Sequence, residues 1–384
     1  MPGHELIGKE ERKYINDIFD KKDSFYEVNG KRVRKFEKEF SKFVGAKYAV
    51  LVSSGTAAIK TALIAAGVKR GDEVITQAFT FIATVGAIVD VGAIPVIVNV
   101  DETLNMNAEE FEKKITKKTK AVIPVHMLGV STEVDKIIKI AKKNNILVID
   151  DNCESLGALW GKEKLGVQAD VCTWSFDYGK VITTGEGGMI TTNNKNIYNI
   201  SKEYKDHGHQ NNPNLPRGRD TRRIPGFNFR SSELNAALGL AQLKKLPSII
   251  KNNRRNYKII FNKIKSLDKI FFRKIPNKCH PLHDCLIFRV KSKKTAKKFV
   301  KLMVQKKLNT KNVPDAIEWH FAKHWMHIFK RFKINKKKLG KELLPSSNLL
   351  EKSIAIPISS IRNDRKTSKI ANKIFQIAKQ LQLN

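Results

Sequence analysis

Lys180 stands five residues after Ser175 in the stretch TWSFDYGKVITTGEGGMI (173–190), between an apolar run and a glycine-rich turn. A serine there can give its hydroxyl to a phosphate, and a buried lysine reaching over the same pocket can form an imine with a carbonyl compound. One lysine in a chain with 72 Lys and Arg residues carries little information alone. Two other stretches supply its company. In SSGTAAIKTALIAAG (53–67), Gly55 permits a tight turn and Thr56 opens a helix whose free N–H groups make an anion site. In ILVIDDNCESLGA (146–158), Asp151 sits just past an apolar strand, where an uncompensated carboxylate is costly and asks for a positive partner.

A phosphate-holding helix start, a carboxylate suited to a protonated ring nitrogen and a lysine before a glycine turn are the parts needed to hold pyridoxal phosphate (PLP). The elements that must position them alternate along the chain. KYAVLV (47–52), DEVITQ (72–77), IPVIVNV (94–100), KAVIPVHML (120–128), ILVIDD (146–151), DVCTWSF (170–176) and GMITT (188–192) read as strands. Stretches with helical spacing, such as VDKIIKIAKKNN (134–145), separate the first five. This alternation predicts βαβ units and an α/β fold with a mainly parallel sheet flanked by helices. Ligands gather at the carboxyl ends of strands in such sheets, and three of those ends carry the residues above.

GFNFRSSELNAALGLAQLKKL (226–246) reads as a loop, an N-cap at Ser231 or Ser232, and a long apolar-striped helix. Beyond it the pattern holds more charge and fewer strand–helix alternations. The chain is expected to divide into a large domain, residues 1–250, and a smaller C-terminal α+β domain, residues 251–384, joined through that helix.

Composition removes other classes. The net charge of +35 comes from lysines spread over polar segments such as KIIKIAKKNNI (136–146), with no interleaved aromatic residues. That favours solvated faces over a specific nucleic-acid groove. The start MPGHELIGKEERKYIND has no apolar leader core, and no window approaches the roughly 18 apolar residues of a membrane span. A cytoplasmic protein without a membrane span is expected. Four cysteines form no CxxC pair, so neither disulfides nor zinc are expected, and Cys153 and Cys172 read as buried small residues. His207 and His209 lack a third ligand at diagnostic spacing, so no metal is expected, and their loop reads as part of a substrate pocket.

With these motifs in hand, the chain resembles the DegT-type (DegT/DnrJ/StrS) PLP-dependent sugar aminotransferases of fold type I. The likeness runs from MPGHELIG to about Leu246 through SSGTAA at Ser53, TFIAT at Thr80, DDNCESLGA at Asp150, SFDYGKVITTGEGG at Ser175 and GFNFRSSELNAA at Gly226. The resemblance implies that Lys180 carries the cofactor as an imine and moves the proton, that Asp151 pairs with the ring nitrogen, and that Phe81 stacks on the ring. It further implies that Gly55, Thr56, Ala57 and Ser175 hold the phosphate. Asn228 is expected to reach the phosphate of a neighbouring subunit, which makes a homodimer with shared active sites. Glu154 stands where many members have Gln near the ring hydroxyl.

The implied activity is transamination with glutamate as donor, pyridoxamine phosphate as the intermediate cofactor form, and a keto- or aldehyde-sugar as acceptor. Relatives that use the cofactor for sugar dehydration replace the lysine with histidine, and Lys180 argues against that outcome. Through MPGHELIGKEERK, KDHGHQ (205–210) and LNAALGLAQLKKL (234–246) the likeness is strongest to enzymes that aminate C8 of an oxidised Kdo, giving 8-amino-3,8-dideoxy-octulosonate for lipopolysaccharide. In EWHFAKHWMHI (318–328), His320, Lys323 and His324 could meet the sugar carboxylate. One alternative is a nucleotide-linked 4-keto-6-deoxyhexose of the legionaminic acid or perosamine type. Another is a non-catalytic regulatory protein, against which Lys180 and Asp151 weigh.

Overall fold

A computed structural model of the chain describes residues 3–27 and 30–383, so Met1 and Pro2 of the N-terminal motif lie outside the described residues. All seven expected strands form: β1 (Tyr48–Val52), β2 (Glu73–Gln77), β3 (Ile94–Val98), β4 (Thr119–Ile123), β5 (Leu147–Asp151), β6 (Val171–Ser175) and β7 (Gly188–Thr192). They make one sheet in the order β1-β7-β6-β5-β4-β2-β3. β2 is parallel to β3 and β4, β4 to β5, and β5 to β6. Only β7 runs against its neighbours β6 and β1. The strands are almost wholly buried, which is why they are Val- and Ile-rich without polar alternation.

Helices cover the sheet. In α1 (Lys31–Val44), Val33, Phe36, Phe40 and Val44 recur every three or four residues and are buried. Phe36 and Phe40 pack on Phe176 and Trp174 at ring-centroid distances of 5.3 to 5.4 Å. α2 (Gly55–Ala65) and α3 (Ile82–Asp90) follow β1 and β2.

α4 (Glu233–Ile264) starts where expected, with the Ser232 hydroxyl accepting the Asn235 N–H at 3.2 Å. Its first residue, Glu233, accepts the N–H groups of Arg32 and Val33 at 2.9 and 2.8 Å and so anchors the start of α1. The helix runs 32 residues without interruption across position 250. Beyond it, β8 (Phe271–Phe272), β9 (Cys285–Arg289) and β10 (Ser353–Pro357) form an antiparallel sheet in the order β8-β9-β10. One face of this sheet, through Leu286, Phe288 and Ile356, packs on α5 (Lys293–Gln305) and α6 (Asp364–Gln380). Its other face, through Cys285, Ile287 and Ala355, joins the same apolar cluster as the large sheet.

Candidate active site

The carboxyl ends of β1, β2, β4, β5 and β6 open into a cavity of about 360 Å³. At one end lies the start of α2. Ser54 caps it, its hydroxyl accepting the Ala57 N–H at 3.1 Å, which leaves the first-turn N–H groups of Gly55 and Thr56 for an anion. Gly55 corrects the sequence reading in one respect. It is already helical and serves close approach, not a tight turn: a Cβ there would stand 2.9 Å from Ser175 Cβ and 3.2 Å from its hydroxyl. Ser175, the last residue of β6, is thereby brought beside the helix start.

Asp151, 3% exposed, forms the floor as the last residue of β5. One carboxylate oxygen accepts the Thr84 hydroxyl at 2.9 Å and the other the Cys153 N–H at 3.1 Å. The Thr84 hydroxyl is itself 2.8 Å from that of Thr80. Among the described residues no cation forms an ion pair with this buried carboxylate, a donor set that fits a protonated ring nitrogen. Phe81, the residue before α3, is 42% exposed on the cavity wall. Its ring lies parallel to Trp319 at 6.4 Å and 5.5 Å from His320.

Lys180 follows β6 in a turn built by Asp177, which accepts the Gly179 N–H on its carboxylate at 2.8 Å and the Lys180 N–H on its carbonyl at 3.0 Å. Lys180 Nζ is 3.4 Å from Glu154 Oε1. Burial opposes the lysine charge, but Glu154 foremost among its neighbours holds its pKa above the ordinary value. Burial would raise the Glu154 carboxyl, yet Lys180, Lys311 and His320 drive it down to about 2. Glu154 also accepts the Leu128 N–H at 3.1 Å, and Asn312 Nδ2 lies 3.4 Å from both of its oxygens.

Sequence reasoning missed Lys311, Asn312 and Thr84. Thr84 closes the TFIAT stretch and was findable there as a hydroxyl one helical turn from Thr80. Lys311 and Asn312 lie in a lysine-rich segment with no local signal, and only folding brings them to the cavity. Cys153 also lines the cavity and is not a buried filler, whereas Cys172 is buried as expected.

Of the residues expected to meet substrate, His320 alone lines the cavity. Its Nδ1 is 2.7 Å from the Ala316 carbonyl, so Nδ1 carries the proton and Nε2 is the acceptor. Burial pushes its pKa below the ordinary value. Lys323 is spent on Glu351 at 3.4 Å and the Ser347 hydroxyl at 3.3 Å, and His324 is exposed with its ring against the edge of Phe321. Ala57 is buried behind the capping hydroxyl. His207 and Asn228 are exposed and do not line the cavity. Their loop is tied down at Asp206, whose carboxylate binds Arg217 at 2.5 Å and Arg230 at 2.6 Å. His209 lies 3.1 Å from Asp220. Among the described residues no helix is long and apolar enough to cross a membrane.

A sheet that delivers a lysine, a buried carboxylate and a capped helix start to one cavity defines a class of enzyme, and the chain belongs to the DegT/DnrJ/EryC1/StrS aminotransferase family, which matches residues 5–375. It is 38% identical over 267 residues to GDP-perosamine synthase of Escherichia coli O157:H7, covering 69% of this chain and 71% of that one. An aminotransferase from Psychrobacter cryohalolentis shares the fold over 98% of both chains, with a TM-score of 0.86 and 25% identity. GDP-4-keto-6-deoxy-D-mannose-3-dehydratase of E. coli, solved with bound hydrated PLP, matches 96% of this chain and 97% of that one, with a TM-score of 0.81 and 25% identity. The protein is thus a sugar aminotransferase whose cofactor is PLP.

Proposed function

We propose that the enzyme moves an amino group from glutamate to the C8 aldehyde of oxidised Kdo, giving 8-amino-3,8-dideoxy-octulosonate for lipopolysaccharide in the cytoplasm. The observation that carries the catalytic assignment is that Lys180 and the buried Asp151, which forms no ion pair among the described residues, line one cavity. When bound, PLP supplies the electron sink that allows a C–H bond beside nitrogen to ionise. The Gly55 and Thr56 N–H groups, with the Ser175 hydroxyl, hold the phosphate, and Ala57 contributes by completing the cap of that first turn. Asp151, oriented by Thr84 and the Cys153 N–H, pairs with the ring nitrogen. Phe81 would cover a face of the bound ring, and Glu154 would stand near the ring hydroxyl.

Lys180 Nζ removes the proton from the donor carbon and later returns one to the acceptor carbon, with Glu154 holding it within reach. His320 offers Nε2 to a substrate hydroxyl. Asn228, exposed in one chain, reaches the phosphate in a second copy, so that a homodimer shares its two sites; His207, whose N–H donates to the Phe227 carbonyl at 3.0 Å beside Asn228, contributes to the substrate pocket from the same loop. Residues 1–250 form the large cofactor-binding domain and residues 251–384 the small C-terminal domain, which adds Lys311, Asn312 and His320 to the cavity wall.

A second reading replaces the acceptor with a nucleotide-linked 4-keto-6-deoxyhexose, favoured by the 38% identity to GDP-perosamine synthase. One titration separates them. The visible absorbance of the PLP-loaded protein should depend on Lys180, be lost with glutamate, and return with the true acceptor. Recovery with 8-oxo-Kdo supports the first reading, recovery only with GDP-4-keto-6-deoxymannose supports the second, and a spectrum unchanged by Lys180→Ala sinks both.

A further inference from the structure

The walls of the cavity carry four carboxylates, Asp151, Glu154, Asp177 and Glu186, but only two ammonium groups, those of Lys180 and Lys311. Burial pushes the pKa of His320 below the ordinary value and so disfavours its charged form. Lys180 changes its bonding during the reaction and is no permanent counter-ion. Apart from the helix start that takes the phosphate, Lys311 is the one permanently cationic side chain that the described wall offers to a substrate anion.

Lys311 is also a built feature. Its Nζ lies 2.5 Å from Asp284 Oδ2, and Asp284 has a 2% exposed side chain. The Lys311 N–H donates to Ala355 of β10 at 2.9 Å, and the Asp284 carbonyl accepts the Ile358 N–H at 2.9 Å. Asp284 packs against the turn after β4 because Gly129, at φ +74°, has no Cβ; one there would stand 2.8 Å from Asp284 Oδ1. An ammonium group has three donors. Asp284 takes one, and the Lys311 side chain keeps 23% of its surface open, so donors remain for a ligand.

Building on the aminotransferase reading, we infer that Lys311 binds a substrate carboxylate, with Asp284 as its positioning residue. Two sources share that chemistry: the donor amino acid, and an acceptor sugar acid. Lys311 is tied to the smaller sheet through the Ala355 carbonyl and shares Glu154 as a charged neighbour with Lys180, so the carboxylate is gripped close to the lysine that moves the proton.

The test uses PLP-loaded wild type, Lys311→Arg, Lys311→Met and the double variant Lys311→Met/Asp284→Asn. The double variant guards against misfolding from an unpaired buried carboxylate. Calorimetry with unreactive glutarate and neutral glutaramide reads binding without turnover. Loss of the Lys311 contact should weaken glutarate by about tenfold or more, leave glutaramide unchanged, and be rescued by Lys311→Arg. Half-reactions then name the source. A raised half-saturation for glutamate, with its preference over the α-amide gone, assigns the donor. A loss confined to 8-oxo-Kdo, with GDP-4-keto-6-deoxymannose unaffected, assigns the acceptor. Glutarate binding that survives in the folded double variant overturns the inference. If wild type binds glutarate through Lys311 but glutamate leaves its absorbance unchanged, the proposed reaction fails while the anion site stands.

Discussion

Lys180, partly buried, and Lys205, buried, both face carboxylates, and both have pKa values raised above the ordinary value although burial opposes the charge. They differ in what is left over. Lys205, 6% exposed, contacts Glu27, lies 3.5 Å from Glu37 and donates to the Leu51 carbonyl at 2.7 Å. Its acceptors are pinned in turn, Glu27 by the Ser231 N–H at 2.7 Å and Glu37 by the Leu51 N–H at 2.8 Å. Lys180, 22% exposed, has Glu154 at 3.4 Å and an open cavity beside it. A shifted pKa therefore does not mark the reactive lysine here. Unspent donors facing a cavity do, because a saturated ammonium group can take no substrate.

That contrast can be broken in order of effect. Lys180→Ala should lower transamination by at least about 10³-fold and cost less stability than Lys205→Met, because Lys311 and the Leu128 N–H still hold Glu154. Steady-state rates and thermal melting check this, and a large loss of stability would make Lys180 a second structural lysine. Lys205→Met strands Glu27 and Glu37 and should cost about 3–5 kcal/mol in urea unfolding, with activity per folded molecule retained. A folded but inactive variant would move Lys205 into the chemistry.

The next effect is pH-dependent. Glu154 has its carboxyl lowered from 4.5 to about 2 by its neighbours. A depressed folded pKa contributes stability above the unfolded value and loses it as pH falls through the folded one. Glu154→Gln should therefore flatten the acid limb of stability between about pH 4.5 and 2, by on the order of 3 kcal/mol. An acid limb identical to wild type would show that the Lys180 partner is not held ionised. Smallest is Ser54→Ala, expected to cost about 1 kcal/mol by removing a helix cap; chemical denaturation checks it, and no loss would mean that water caps the helix equally well.

The large sheet was readable strand by strand because a strand buried on both faces needs a short Val- and Ile-rich run, and the chain carries seven of them. Lys180, Asp151 and Ser175 were readable because each lies at the end of such a run. A residue's role is not legible in the sequence where it depends on the direction its side chain takes. EWHFAKH offers three polar candidates, but the chain leaves the helical turn after His320, Phe321 is buried, and Lys323 is drawn to Glu351. Gly55 likewise looked like a turn residue until Ser175 was found packed where its side chain would be.

Local pattern thus specified the strands, the helix start and the three polar residues at the sheet end, since periodicity and strand ends act within a few residues of chain. The second wall of the cavity did not follow from pattern. Asp284, Lys311 and His320 are far from Lys180 in the chain and come from segments rich in ordinary lysines and histidines. Packing of the smaller sheet on the large core brings them in, and burial turns an unremarkable lysine into a paired cation facing the cavity.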